Sequence, residues 1–166
     1  MVNQKAAIVL GSDSDLPIAE KAFDTLKDFG IEYTARILSA HRTPDELAVF
    51  AAGARSNGFG VIIAFAGMAA HLAGCIAART TLPVIAVPCA SADTHAINGL
   101  DALLACVQMP PGVPVATVSL NGGINAALLA AQILAVSDKR IAEALATKKN
   151  AMADATLEKD KRLNSH

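Results

Sequence analysis

The hexapeptide Ser39-Ala40-His41-Arg42-Thr43-Pro44 sets a titratable imidazole next to a fixed cation. Histidine is the side chain that changes charge nearest neutral pH, and the planar donor fork of arginine matches carboxylate and phosphate. Residues 32–38 before the hexapeptide read as a β-strand, and residues 45–50 after it read as the start of a helix. Thr43 stands at the cap position of that helix and Pro44 at its first position. Proton transfer and anion binding are therefore offered together where a strand gives way to a helix. Taken alone, the same residues make an ordinary capped loop; the other strand ends argue for chemistry.

Gly11-Ser12-Asp13-Ser14-Asp15 follows a short apolar run and precedes a helix. Its hydroxyls, backbone N–H groups and helix N-terminus are the elements that hold a phosphate or ribose oxygens. The stretch lacks the Gly-Lys-Ser/Thr of a nucleoside-triphosphate loop and the G-x-G-x-x-G of a dinucleotide fold. Ala66-Gly67-Met68-Ala69-Ala70-His71-Leu72-Ala73-Gly74 is a small-residue loop that lets a flat ligand approach the backbone, with His71 inside it. After the fourth strand comes Pro88-Cys89-Ala90-Ser91-Ala92-Asp93-Thr94-His95. Its Asp93-Thr94-His95 has Asn98 where a cobalamin motif needs glycine, and His95 and His166 read as surface residues.

These loops need a scaffold that gathers them. Strands are expected at residues 5–10, 32–38, 60–65, 84–87 and 115–118. Helices are expected at 17–29, from 44 to near Asn57-Gly58, from the third loop to near Thr80, at 99–107 and at 124–136, with a polar last helix from Ser137-Asp138 to about Leu163. Strands rich in β-branched residues alternating with helices predict one α/β domain, a doubly wound parallel sheet of five strands with an extra C-terminal helix. In such a sheet ligands bind beyond the carboxyl ends of the strands. That rule gathers Ser12, Ser14, Asp15, Ser39, His41, Arg42, Gly67, His71 and Ser91 on one rim. The third strand ends Phe65-Ala66-Gly67, without the aspartate of a phosphoacceptor domain, and 4% aromatic residues leave few rings to flank a flavin.

Composition narrows the field further. A net charge of −1 with scattered Lys and Arg offers no stripe for nucleic acid. The apolar runs break before membrane-spanning length, and residues 5–10 are too short for a signal peptide. Cys75, Cys89 and Cys106 lack metal-ligand spacing, which suggests reduced thiols in a cytoplasmic protein. With 53% hydrophobic residues in 166, some apolar surface is expected to meet other subunits. The thin stripe Ile141, Leu145, Met152 and Ala155 suggests that residues 138–163 form an arm on a neighbour.

Together G-S-D-S-D, S-A-H-R-T-P, A-G-M-A-A-H-L-A-G, Q-M-P-P-G-V-P-V-A-T and N-A-A-L-L-A-A-Q-I-L closely resemble, in order and spacing from about Ala6 to Asp138, the N(5)-carboxyaminoimidazole ribonucleotide mutases of purine biosynthesis. Arg42 after the histidine, and His71 in the third loop, are similar to that branch rather than to its relative that carboxylates with free carbon dioxide. The resemblance implies an isomerase that moves a carboxylate from the exocyclic nitrogen to ring carbon 4 of an aminoimidazole ribonucleotide, without metal, ATP or organic cofactor. It implies that His41 is the general acid/base. It also implies that Ser12, Ser14, Asp15, Ser39, Arg42, Ala66, Gly67, Ala70, His71 and Leu72 bind the substrate, with Met109-Pro110 helping to exclude water. A homo-octamer, and a functional link to the ATP-dependent synthetase that makes the substrate, are implied too. Met68, Ala73 and Ile124 depart from the family pattern. The alternatives are direct carboxylation with carbon dioxide, or a nucleotide-binding module that needs Ser12, Asp15 and Arg42 but not His41.

Overall fold

The computed structural model of the chain describes residues 4–90 and 97–165. Ser91, Asp93, Thr94, His95 and His166, singled out above, lie outside the described residues. The strands are β1 (Lys5–Leu10), β2 (Tyr33–Ile37), β3 (Phe59–Gly67), β4 (Val84–Cys89) and β5 (Ala116–Thr117). They form one parallel sheet in the order β2-β1-β3-β4-β5. The helices are α1 (Leu16–Asp28), α2 (Pro44–Gly53), α3 (Leu72–Ala77), α4 (Leu100–Val107), α5 (Gly123–Ala135) and α6 (Lys139–Asn164).

Central strands covered on both faces read as continuous apolar runs, and β3 and β4 are buried along nearly their whole length. Alternation along β1 divides the core. Ala6, Ile8 and Leu10 pack with α1 and α5, whereas Ala7 and Val9 pack with α2, α3 and α4. The alanines of α5 have a steric reason. Ala126, Ala127, Ala130 and Ala131 are fully buried, and a β-carbon at Gly123 would run into the carbonyl of Ile18. Small side chains let α5 lie close on α1.

Helices α2 and α3 and strand β5 are among the elements shorter than the sequence pattern predicts. Helix α2 stops at Gly53, and Asn57 closes a further turn by donating its N–H to the Gly53 carbonyl (3.1 Å) before Gly58 turns left-handed at φ 82. Helix α3 stops at Ala77. Strand β5 pairs over only two residues, because among the described residues β4 is its one neighbour and the Pro110, Pro111 and Pro114 before it cannot donate to a ladder.

The last helix has two halves. Asp138 caps it through Oδ1, which accepts the N–H groups of Arg140 (2.9 Å) and Ile141 (3.3 Å). Ile141 is buried in this chain's own core with Ala144 and Leu145 against it, and Lys148 reaches Asp28 at 3.9 Å. From Lys149 to Ser165 every residue is exposed, including Met152 and Ala155 of the expected stripe. Ile141 and Leu145 thus pack inside the domain, which narrows any intersubunit arm to the second half of α6.

Candidate active site

The strand order reverses between β1 and β3, and the crevice at such a switch point opens beyond the carboxyl ends of the strands. A cavity of about 480 Å³ lies there, within the usual range for a small-molecule site. From the sequence-predicted set, Ser12, Ser14, Asp15, Ser39, His41, Arg42, Ala66, Gly67 and Leu72 line it. Ala70 and His71 do not. The Ala70 side chain is turned into the core at 1% exposure, and His71 is joined to the lining only through His41. Met109 packs its thioether against Gly74 on α3 instead of lining the cavity.

The loop after β2 is organised by the Ser39 hydroxyl. It accepts the backbone N–H of His41 (3.3 Å), the backbone N–H of Arg42 (3.2 Å) and Arg42 Nε–H (3.4 Å). Its own proton stays available to a ligand. Thr43 holds the cap position of α2, but its hydroxyl makes no cap. It accepts the Ser39 N–H (2.8 Å) and donates to the Ser39 carbonyl (3.2 Å), closing the loop on itself. Arg42 then reaches across to β1, where Nη2 donates to the Gly11 carbonyl at 3.0 Å. That bond fixes the guanidinium between the first two loops, and among the described residues Nη1 has no hydrogen-bond partner, which suits it to an anion.

The loop after β1 is a single 3₁₀ turn, residues Asp13–Asp15. The Ser12 N–H donates to Asp15 Oδ2 (3.1 Å), and the Ser14 N–H is shared between Ser12 Oγ (3.4 Å) and Asp13 Oδ1 (3.1 Å), a reciprocal capping box. Asp15 is only 6% exposed. Burial pushes its carboxyl above the usual carboxylate range, opposed by the Ser12 N–H, the Cys89 thiol and Arg42. Its folded pKa exceeds the unfolded value of about 3.9, so stability is greatest where both states are protonated and is lost as pH rises through the folded pKa. Asp15→Asn keeps an oxygen for the Ser12 N–H and removes the charge. It is expected to melt higher than the parent at pH 7, with the gap closing below about pH 4; differential scanning calorimetry across pH reads both limbs.

The third loop brings the second histidine into place. Gly67 is required because a β-carbon would stand 2.9 Å from the Cys89 carbonyl. Beyond it the Ala70 N–H donates to the Met68 carbonyl and the His71 N–H to the Ala69 carbonyl, both at 2.8 Å. These tight turns set His71 Nδ1 at 3.0 Å from His41 Nε2, the rings nearly perpendicular at 81°. One nitrogen donates and the other accepts. The bond survives one added proton but not two, since two imidazolium rings would face each other with N–H groups.

Sequence reasoning missed Gly11, Ala40, Met68, Ala69 and Cys89 among the lining residues. Cys89 was detectable by the rule used for the rest, for it is the last residue of β4. Its thiol is buried beside Asp15, and burial together with that carboxyl raises its pKa so far that it stays protonated. Its Sγ–H donates to the Val87 carbonyl at 3.4 Å, and a thiol held protonated in this way is a poor nucleophile.

A family model described as AIR carboxylase matches residues 5–155. The N5-carboxyaminoimidazole ribonucleotide mutase of Thermotoga maritima is 49% identical over 159 residues, 96% of this chain and 91% of that protein. The enzyme of the same name from Pyrococcus abyssi is 52% identical over 141 residues, 85% of this chain and 79% of that one. A crystal structure of Treponema denticola PurE superposes with a TM-score of 0.86 at 33% identity, covering 96% of this chain and 98% of that one. Since the match runs through every strand and every loop that lines the cavity, the chain belongs to the AIR carboxylase family.

Proposed function

We propose that this chain carries out the carboxylate shift of its mutase relatives, converting N5-carboxyaminoimidazole ribonucleotide into the isomer carboxylated at ring carbon 4, a step of purine biosynthesis. The observation that carries the reading is His41, an imidazole hydrogen-bonded to a second imidazole at the lip of a cavity whose other elements suit a phosphorylated ligand.

The chemistry dictates what the site must do. The C–N bond of the carbamate breaks, its electron pair returns to nitrogen, and carbon dioxide is freed. Carbon 4 then attacks carbon dioxide, forming the C–C bond. Finally the hydrogen on carbon 4 leaves as a proton, which restores the aromatic ring. The proton lost at carbon 4 balances the one gained by the exocyclic nitrogen, so one group must both accept and donate in each cycle. His41 suits that role, with His71 fixing its tautomer and taking up the added charge. Arg42 and the Ser39 hydroxyl form the phosphate cradle, while Ser12, Ser14 and Asp15 hold the ribose side. Ala66, Gly67 and Leu72 let the flat base lie against the backbone, and Ala70 serves by filling the core beneath that loop. The reading is tested by supplying each candidate substrate and following the absorbance of the carboxylated imidazole with and without bicarbonate. Turnover of the N-carboxylated substrate that is independent of bicarbonate is expected; product from unmodified aminoimidazole ribonucleotide plus bicarbonate alone would replace the shift with direct carboxylation.

The active form is a homo-oligomer, an octamer, with sites completed where subunits meet. Leu100, Leu104 and Val107 make an exposed i, i+4, i+7 stripe on α4, continued by Ile97. His41, His71 and Arg42 are exposed in the single chain, whereas trapping carbon dioxide needs a site shielded from water. The exposed half of α6 is the arm that reaches a neighbour. Removal of residues 151–166 takes nothing from this chain's core, and it is expected to lower the oligomeric state while the monomer fold persists. Size exclusion with light scattering reads the mass; an intact protein running at 17.0 kDa contradicts the assembly. No helix among the described residues is long and apolar enough to cross a membrane. The proposed place of the enzyme is the cytoplasm, after the ATP-dependent synthetase that makes its unstable substrate.

A further inference from the structure

We propose that Met68 is a specificity-determining residue of this site, its thioether covering the cavity so that carbon dioxide released from nitrogen is captured by carbon 4 before it escapes. The proposal rests on the carboxylate shift above and adds to it the residue that keeps the intermediate in place.

The first observation is conformational. Met68 sits at φ 53, in the left-handed region that a side chain normally avoids. The other non-glycine residues with positive φ among those described are Asn98 and Asn121, and asparagine tolerates that conformation through local hydrogen bonding. Methionine has no such compensation. The turn itself uses only the Met68 carbonyl, which accepts the Ala70 N–H at 2.8 Å. Glycine would make the same turn without strain, so the fold does not require the methionine side chain. Strain kept at a site where the fold does not need it points to use of the group that causes it.

The second observation is the place of the side chain. Met68 lines the cavity together with His41 and Leu72, and it is 46% exposed, so in the single chain it stands at the open side of the cavity. Its neighbours Gly67, Ala69 and Ala70 are too small to cover anything. Met68 is thus the large apolar group of this loop at the mouth. Carbon dioxide carries no charge and accepts hydrogen bonds weakly, so polar groups hold it poorly. A flexible apolar wall retains it better, and methionine adapts its shape readily. Without the wall, carbon dioxide reaches water, hydrates to bicarbonate, and leaves aminoimidazole ribonucleotide as a dead-end product.

The test starts from the N-carboxylated substrate and measures free aminoimidazole ribonucleotide formed per C4-carboxylated product, after subtracting loss without enzyme. Met68→Gly suits the left-handed turn and is expected to fold. It should raise that ratio on the order of tenfold, the scale on which an apolar wall discriminates, with KM little changed because the bound substrate holds no free carbon dioxide. With ¹³C-bicarbonate in the medium, the glycine variant should also carry label into product, and Met68→Leu should partition as the parent does. A glycine variant that partitions like the parent, or a leucine variant that leaks as much as glycine, overturns the proposal. If the parent itself forms no C4-carboxylated product, the carboxylate shift fails first, and the role of Met68 falls with it.

Discussion

His41→Asn is expected to bind substrate and remain folded while turnover falls by roughly 10²- to 10⁴-fold, the range that a positioned acid/base contributes. The amide keeps much of the shape of the imidazole and can still accept a hydrogen bond in the neighbourhood of His71. It cannot take the proton from carbon 4 and return it to nitrogen. Fold and affinity should survive because His41 is exposed and contributes no core packing; its ring contact is with His71. Calorimetric titration with the C4-carboxylated nucleotide should therefore give near-parental affinity for an almost inactive protein. Activity above a few per cent of the parent would remove His41 from the proton-transfer role. A joint loss of binding and activity would make it a ligand contact instead.

Arg42→Lys should weaken binding by about 1–3 kcal/mol even though charge is conserved. The guanidinium is held from two sides, by the Ser39 hydroxyl at Nε and the Gly11 carbonyl at Nη2, and it still offers Nη1 outward. An ammonium cannot keep both internal bonds and present a flat donor pair to phosphate. The cross-link between the loops after β1 and β2 is lost as well, so the cradle formed by Ser12 and Ser39 loosens. The effect should appear in KM and in the dissociation constant of inorganic phosphate, with kcat less affected. Unchanged phosphate binding would locate the phosphate elsewhere on the rim.

Much of this site could be read from the chain because of one geometric rule. Once alternating strands and helices imply a doubly wound sheet, each loop after a strand must open at the same edge, and Ser12, Ser39, His41, Arg42 and Gly67 follow without any contact being known. Less legible was what the loops do to one another. Thr43 has the residue type and position of a helix cap, yet its hydroxyl closes the Ser39 loop, because an alternative backbone partner lies four residues back. His41 and His71 are 30 residues apart, and their hydrogen bond depends on the tight turns at Met68 and Ala69, which no periodicity reports. Ile141 and Met152 looked alike on one apolar stripe, but Ile141 belongs to the core while Met152 faces solvent. A helix pattern gives the face and not the point where the body of the domain ends.

In the proposed reaction the carboxyl carbon moves within the site from nitrogen to carbon 4. That movement is tested most directly by ¹³C nuclear magnetic resonance of substrate labelled at the N-carboxylate, incubated with the protein in unlabelled bicarbonate. The labelled resonance is expected to pass to the C4-carboxylate with little label entering bicarbonate, and His41→Asn is expected to leave it in place. Label appearing in bicarbonate, while product draws its carboxyl carbon from the medium, would contradict the movement.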